Sequence, residues 1–201
     1  CIDPAGGYVY YIASPDNFTQ RYLYRSRLDG SGTAERVSPK DLAGQHSYQI
    51  AGDAKYAIHS FENAATPRRI ALIDLSTHKE IQLLEDNAAL KSKMNELGLR
   101  PKEFFKVDIG QVQLDAWMIK PIAFDPQKKY PVIFHVYGEP AGSTVQDNWG
   151  TGDNLWHQYL ANEIGCIVVS IDNRGTRVPR GRDFRKSIYR QIGLLAADDQ
   201  A

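Results

Sequence analysis

The sequence predicts a mixed fold, antiparallel β-sheet in the first half of the chain and an open α/β sheet beginning in the second. Two observations carry this. Between residues 8 and 84, aromatic and β-branched runs alternate with turn clusters. The phrase occurs twice at a spacing of about 47 residues, within the roughly 40–50 of β-propeller blades. From residue 130 the grammar changes to two unbroken apolar runs flanking an amphipathic segment, the pattern of a strand–helix–strand unit with buried strands.

In chain order, Tyr8–Ile12 is aromatic and β-branched, which favours a strand. Ser14-Pro-Asp-Asn17 turns the chain, Tyr22–Leu28 alternates apolar with polar residues, Asp29-Gly-Ser-Gly32 closes a hairpin, and Ala34–Val37 returns. The second set runs Ser47–Ile50, Lys55–Phe61, a loop holding Pro67, Arg69–Leu75, a Ser76-Thr-His78 turn and Glu80–Leu84. One set has four strands and the other about three. A blade buries its faces only against neighbouring blades. Residues 1–85 are therefore expected to be the C-terminal blade or blades of a β-propeller, with a small independent β-sheet domain as the alternative. Residues 86–100 are expected to form a connector helix capped by Asn87, with Leu90, Met94 and Leu97 on one face and Gly98 and Pro101 ending it.

Residues 101–201 make the second region. Glu103–Val107 and Leu114–Lys120 read as an antiparallel pair across Asp108-Ile-Gly-Gln111. Tyr130–Tyr137 and Cys166–Ile171 read as strands buried on both faces, and Asn154–Glu163 as an amphipathic helix presenting Leu155, Tyr159 and Leu160. Residues from about Phe184 onward read as another helix.

Composition narrows the function. The 201 residues carry 24 basic and 24 acidic side chains, so net charge gives no reason to expect a nucleic-acid partner. A mean hydropathy of −0.43, without any apolar run of about 18 residues, argues against a membrane-spanning segment. Cys1 and Cys166 cannot build a disulfide framework, and nothing has zinc-ligand spacing. A mature lipoprotein also begins with cysteine. A piece of a longer chain is the stronger expectation, because Gly193–Ala201 stops inside a helical pattern.

No glycine-rich phosphate cradle and no Gly-x-Ser-x-Gly elbow occurs, and His46, His59, His78, His135 and His157 are dispersed, so neither cofactor nor metal is expected. Cys166, inside an apolar strand, reads as an inert packing residue, and His135 as a satisfied core histidine. The basic run Arg174, Arg177, Arg180, Arg182, Arg185, Lys186 and Arg190 reads as a solvated loop and helix face. The informative loop is Tyr137-Gly-Glu-Pro140, at the carboxyl end of the first apolar run, where open α/β sheets bind ligands. A phenol there can donate a hydrogen bond to charge developing on a scissile carbonyl. On spacing alone the plainer reading is favoured, in which Tyr137 ends a strand and Gly138 and Pro140 turn the chain.

Tyr130-Pro-Val-Ile-Phe-His-Val-Tyr-Gly-Glu-Pro140 resembles the start of the catalytic domain in the prolyl oligopeptidase family, in its dipeptidyl peptidase IV branch. Ser170-Ile-Asp-Asn-Arg-Gly175 is similar to the family's Asp-x-Arg-Gly turn, and Tyr189–Gly193 with Asp198-Asp-Gln200 resembles the helix leading to the nucleophile strand. Upstream, Leu84–Leu90 resembles the segment leaving the propeller, and Asp53–Tyr56 with Pro67 the last blade. Glu139 and Ala196 depart from the family pattern, where a small residue and a glutamate are usual.

The resemblance implies the end of a β-propeller followed by the N-terminal part of an α/β-hydrolase domain, truncated before the nucleophile. It implies a parent serine exopeptidase that releases N-terminal dipeptides, often X-Pro, from peptide substrates by acyl-enzyme hydrolysis without a cofactor. It also suggests export in bacteria and leaves room for a homodimer. The Ser-Asp-His triad would follow Ala201, its elbow beginning some 20 to 30 residues on. The glutamates that grip the substrate amino terminus would belong to earlier blades. Tyr137 alone carries over, as an oxyanion-hole donor. The stretch by itself is expected to be inactive, and to be unstable for want of neighbouring blades and strands. A non-catalytic propeller–hydrolase binding protein is the alternative.

Overall fold

The computed structural model describes residues 1–110, 112–150 and 152–201. They divide into two compact units, one of residues 1–93 with 147–149 and the other of residues 94–146 with 150–201.

The first unit holds two four-stranded antiparallel sheets, each with its strands in chain order. One is β1 (Ile2–Asp3), β2 (Tyr8–Ala13), β3 (Tyr22–Arg27) and β4 (Glu35–Arg36); the other is β5 (Gln45–Ile50), β6 (Tyr56–Asn63), β7 (Thr66–Asp74) and β8 (Glu80–Glu85). The three-strand set of the sequence reading gains β1, too short for alternation to reveal, which pairs Ile2 with Val9 and Asp3 with Tyr8. Pro67 is not in a loop. It lies buried near the start of β7, beside a bulge between Phe61 and Asn63, where a missing ladder N–H is tolerated. Tyr10 and Leu23 from the first sheet share a core with Ala57, Ala71, Ile73 and Leu75 from the second set, so each sheet covers an apolar face of the other. Backbone bonds from Arg21 N to Gly44 O (3.1 Å) and from His46 N to Arg21 O (3.0 Å) join them. Asp147 belongs to this unit, its carboxylate accepting from Ala64 N (2.9 Å) and Gln20 Nε2 (2.7 Å).

Helix α1 (Ala88–Glu96) forms where expected, with a different start. Asn87 has φ 51° and its side chain donates to Arg68 O, so it does not cap. Asp86 instead accepts from Ala88 N (2.9 Å). Of the expected apolar face only Met94 is buried, while Leu90 and Leu97 face solvent on a helix that is polar around most of its circumference.

The second unit has one mixed sheet of order β11-β12-β10-β9, built from β9 (Glu103–Asp108), β10 (Gln113–Ile119), β11 (Val132–Phe134) and β12 (Ile167–Ile171). The β9–β10 hairpin is as expected; Gln111 of its turn lies outside the described residues, as does Thr151. Strands β11 and β12 are parallel, joined through α2 (Gly152–Tyr159) and a π-helical turn at Leu160–Ile164, whereas β10 runs antiparallel to β12. Trp117, Ile119, Val145, Ala161, Cys166 and Val168 form the core.

Two expectations fail here. Only β12 of the two apolar runs is buried. The other contracts to three residues and is an edge strand, with Phe134 56% and Tyr137 49% exposed, because β11 is paired on one side only. Apolar content gave no hint of that position. The single helix expected from Phe184 onward is two short ones, α3 (Gly181–Lys186) and α4 (Leu194–Gln200), interrupted at Arg190 (φ 62°) and Gly193 (φ 86°), both left-handed. Among the described residues no helix is long and apolar enough to cross a membrane.

Candidate functional site

The parallel register Val132↔Ile167 to Phe134↔Val169 brings the chain out of β11 and β12 at the same end of the sheet. Asp172 follows β12 directly, and Tyr137 follows β11 by three residues. His135 stays on the ladder through its N–H to Val169 O (2.8 Å), and Ser170 Oγ donates to His135 O (2.6 Å). Beyond it Gly138, at φ 78°, turns the chain away.

The returning loop is held by Asp172. Its carboxylate accepts from Ser143 Oγ (2.5 Å), Thr144 N (2.9 Å) and Val145 N (3.2 Å). Ser170 already donates to His135, so it accepts from Thr144 Oγ1 at 2.7 Å. Trp117 Nε1 donates to Thr144 O (2.8 Å), and Arg177 N to Gly142 O (2.9 Å). Asp172 is 2% exposed. Burial pushes its carboxyl up, and the donors from Ser143, Thr144 and Val145 pull it back only in part.

The ring of Tyr137 lies on this loop. A Cβ at Gly142 would fall 2.9 Å from a Tyr137 ring carbon, so glycine is what admits the ring. On the other side of Asp172, Arg174 holds Asp199 through Nε (2.9 Å) and Nη2 (2.7 Å) while its backbone N donates to the same carboxylate (2.7 Å). Gly175, at φ 86°, closes the turn where a Cβ would lie 2.5 Å from Ile188.

No protein-family model matches the chain. Over 200 residues it is 31% identical to a probable dipeptidyl-aminopeptidase B of Coccidioides posadasii, across 99% of this chain and 21% of that protein. The protein of the same description from Emericella nidulans is 32% identical over 201 residues, 99% of this chain and 22% of its own length. A crystal structure of Porphyromonas gingivalis dipeptidyl peptidase 4 matches with a TM-score of 0.88 at 32% identity, over 99% of this chain and 27% of that one.

The chain belongs to the dipeptidyl peptidase IV branch of the prolyl oligopeptidase family. It spans about a fifth of the length of the curated relatives it matches. Its sheets, antiparallel for the most part and accompanied by few helices, match a propeller region of this family.

Within this family frame the sequence-predicted residues fall as follows. Tyr137 lies past the carboxyl end of β11, half exposed. Cys166 is buried with Sγ on Leu160 O (3.2 Å), and burial pushes its thiol up, as fits a packing residue. His135 is only partly buried, its ring 4.7 Å from that of His157 and 6.4 Å from Trp117. Of the basic run, Arg177, Arg182, Arg185, Lys186 and Arg190 are exposed, as a solvated face requires, while Arg174 is held by Asp199 and Arg180 by Gln113 O (2.6 Å) and Asp115 (3.7 Å). Arg182, Arg185 and Lys186 line a shallow open depression.

Sequence reasoning missed two clusters. One is the Asp172 clamp, whose only linear signal is an acid placed directly after an apolar run. The other gathers His46, His59 and His78 around Tyr48 in the first unit. Among the described residues no group of three or more His, Cys, Asp or Glu is arranged to hold a metal ion.

Proposed function

We propose that the chain comprises the C-terminal blades of a β-propeller (1–85), a connector (86–100) and the N-terminal part of an α/β-hydrolase domain (101–201) of a serine-type dipeptidyl peptidase. The whole protein would release N-terminal dipeptides, often X-Pro, from peptide substrates through an acyl-enzyme. The observation that carries this is the Tyr137 phenol, half exposed beyond the carboxyl ends of the parallel β11–β12 pair and seated on a clamped loop. Ligands of such sheets bind there. As a serine attacks the scissile carbonyl, negative charge grows on its oxygen, and the Tyr137 hydroxyl donates to it. One such donor contributes about 3–4 kcal/mol to the transition state. Nucleophile, base and acid would come from outside these 201 residues, so the stretch alone has no covalent route.

The test is made on the full-length protein. Tyr137→Phe is expected to lower kcat roughly 10²–10³-fold with KM little changed; unchanged turnover removes the role. A fluorophosphonate should label a serine. No labelling would return the protein to the alternative, a non-catalytic binding protein built on the same two domains.

A further inference from the structure

We propose that Asp172 is a positioning residue for Tyr137: its carboxylate fixes the 142–145 loop, and the loop's Gly142 fixes the phenol ring. The inference rests on the assignment of Tyr137 as an oxyanion donor and goes one residue deeper. Tyr137 is the last residue before a left-handed glycine on a segment that leaves the sheet at His135, so the β-ladder itself does not determine where its ring points. What meets the ring is Gly142, at van der Waals contact so close that a methyl group could not be inserted.

Gly142 in turn is set by its neighbours. Its carbonyl receives Arg177 N, and the next three residues send three donors to Asp172. Asp172 itself is fixed at the end of β12, where its backbone N donates to Asp115 O on β10 (3.0 Å). The path from sheet to phenol is short and made of direct contacts. Chemistry by the carboxylate is not available, since it is 2% exposed and both oxygens are occupied by the loop. An asparagine of nearly the same shape would keep one acceptor oxygen and turn an NH₂ group against donors, which releases half of the loop. A displacement of about 1 Å at a catalytic group can lower turnover on the order of 10²-fold.

The experiment is a double-mutant cycle in the full-length protein, followed with a chromogenic dipeptidyl amide and with active sites counted by fluorophosphonate. Asp172→Asn is expected to lower kcat per labelled site about 10–100-fold with KM nearly unchanged. In a Tyr137→Phe background the same substitution should change kcat less than twofold, because the group it positions is gone. A merely structural role would lower the labelled fraction in both backgrounds alike and would leave kcat per site untouched, which overturns the proposal. Equal losses of kcat per site in both backgrounds overturn it as well, while leaving the Tyr137 assignment standing. A neutral Tyr137→Phe removes that assignment and this proposal together. Should Asp172→Asn not fold, Ser143→Ala, which deletes one donor, and Gly142→Ala, which drives the ring off its seat, decide the matter by the same coupling to Tyr137.

Discussion

Two buried polar clusters, one in each unit, solve the same problem differently. In the first unit His46 and His59 are 3% and 5% exposed and share a hydrogen bond, Nδ1 to Nε2, of 2.9 Å. His46 Nε2 donates to Leu42 O (2.8 Å), so its Nδ1 is bare and accepts from His59. Alongside, Tyr48 OH meets His78 Nε2 (2.8 Å) and Ser38 Oγ (2.9 Å). The histidines are neutral, and His46, Tyr48 and His59 sit on strands whose pairing the backbone ladders already determine. In the second unit a single carboxylate collects donors from a loop that has no ladder. The difference predicts what each cluster is for: removing the histidines should affect only stability and its pH dependence, whereas removing Asp172 should also reach the chemistry.

The largest expected effect is on the carboxylate. Asp172→Ala would leave the Ser143 hydroxyl and two backbone N–H groups without their acceptor in a buried place. At roughly 1–3 kcal/mol for each of these three unsatisfied groups, the second unit should lose at least about 3 kcal/mol, read as a lowered urea midpoint of the full-length protein. A midpoint within error of the parent's would mean that water replaces the carboxylate and that the clamp has no hold on the loop.

The histidines set the next prediction. Burial lowers His46 to about 4 and His59 to about 3, reinforced by the other imidazoles and by Arg36 and Arg69. His78 is lowered too, by burial. Below the ordinary value of 6.5 the unfolded chain takes up protons that the folded first unit does not, so stability is complete above pH 6.5 and falls as pH drops towards 4. The loss should be on the order of 3 kcal/mol for each of His46 and His59. His59→Phe should flatten the profile. A urea midpoint that is level from pH 7 to pH 4 would show that the cluster accepts protons in place.

The contrast also explains what could be read in the linear sequence. Alternation revealed β2, β3, β6 and β7 within one or two residues of their observed ends at most of their termini, because both faces of those strands have a fixed environment. It could not reveal that the run ending at Tyr137 is an edge, since edges depend on which strands pair. Spacing placed Tyr137 at the end of that run, three residues beyond where β11 stops, and only the family resemblance singled it out. Asp172 was visible but mute, because Ser143 lies 29 residues away and reaches it only through the parallel β11–β12 pairing. The histidines were dispersed in sequence for the same reason. The β5–β6 register pairs Tyr48 with His59 and His46 with Phe61, which makes the two histidines diagonal neighbours across the ladder.

The smallest effects give the sharpest separation, because one hydroxyl can be deleted from each cluster. Tyr48→Phe removes the oxygen that joins Ser38 and His78; Thr144→Val removes the one that donates to Ser170 beside Asp172. Neither changes side-chain size much, and Ser38 keeps Leu23 N (2.8 Å) while Ser170 keeps His135 O (2.6 Å) and Asp172 keeps Ser143 Oγ and Thr144 N. Both should therefore lower stability by about 1 kcal/mol. Their effects on turnover should differ, because only Thr144 lies on the path from Asp172 to the ring of Tyr137. Thr144→Val is expected to reduce kcat several-fold at constant KM, and Tyr48→Phe to leave both constants alone. Equal effects on kcat would mean that turnover follows stability in general and that the loop holds no privileged position.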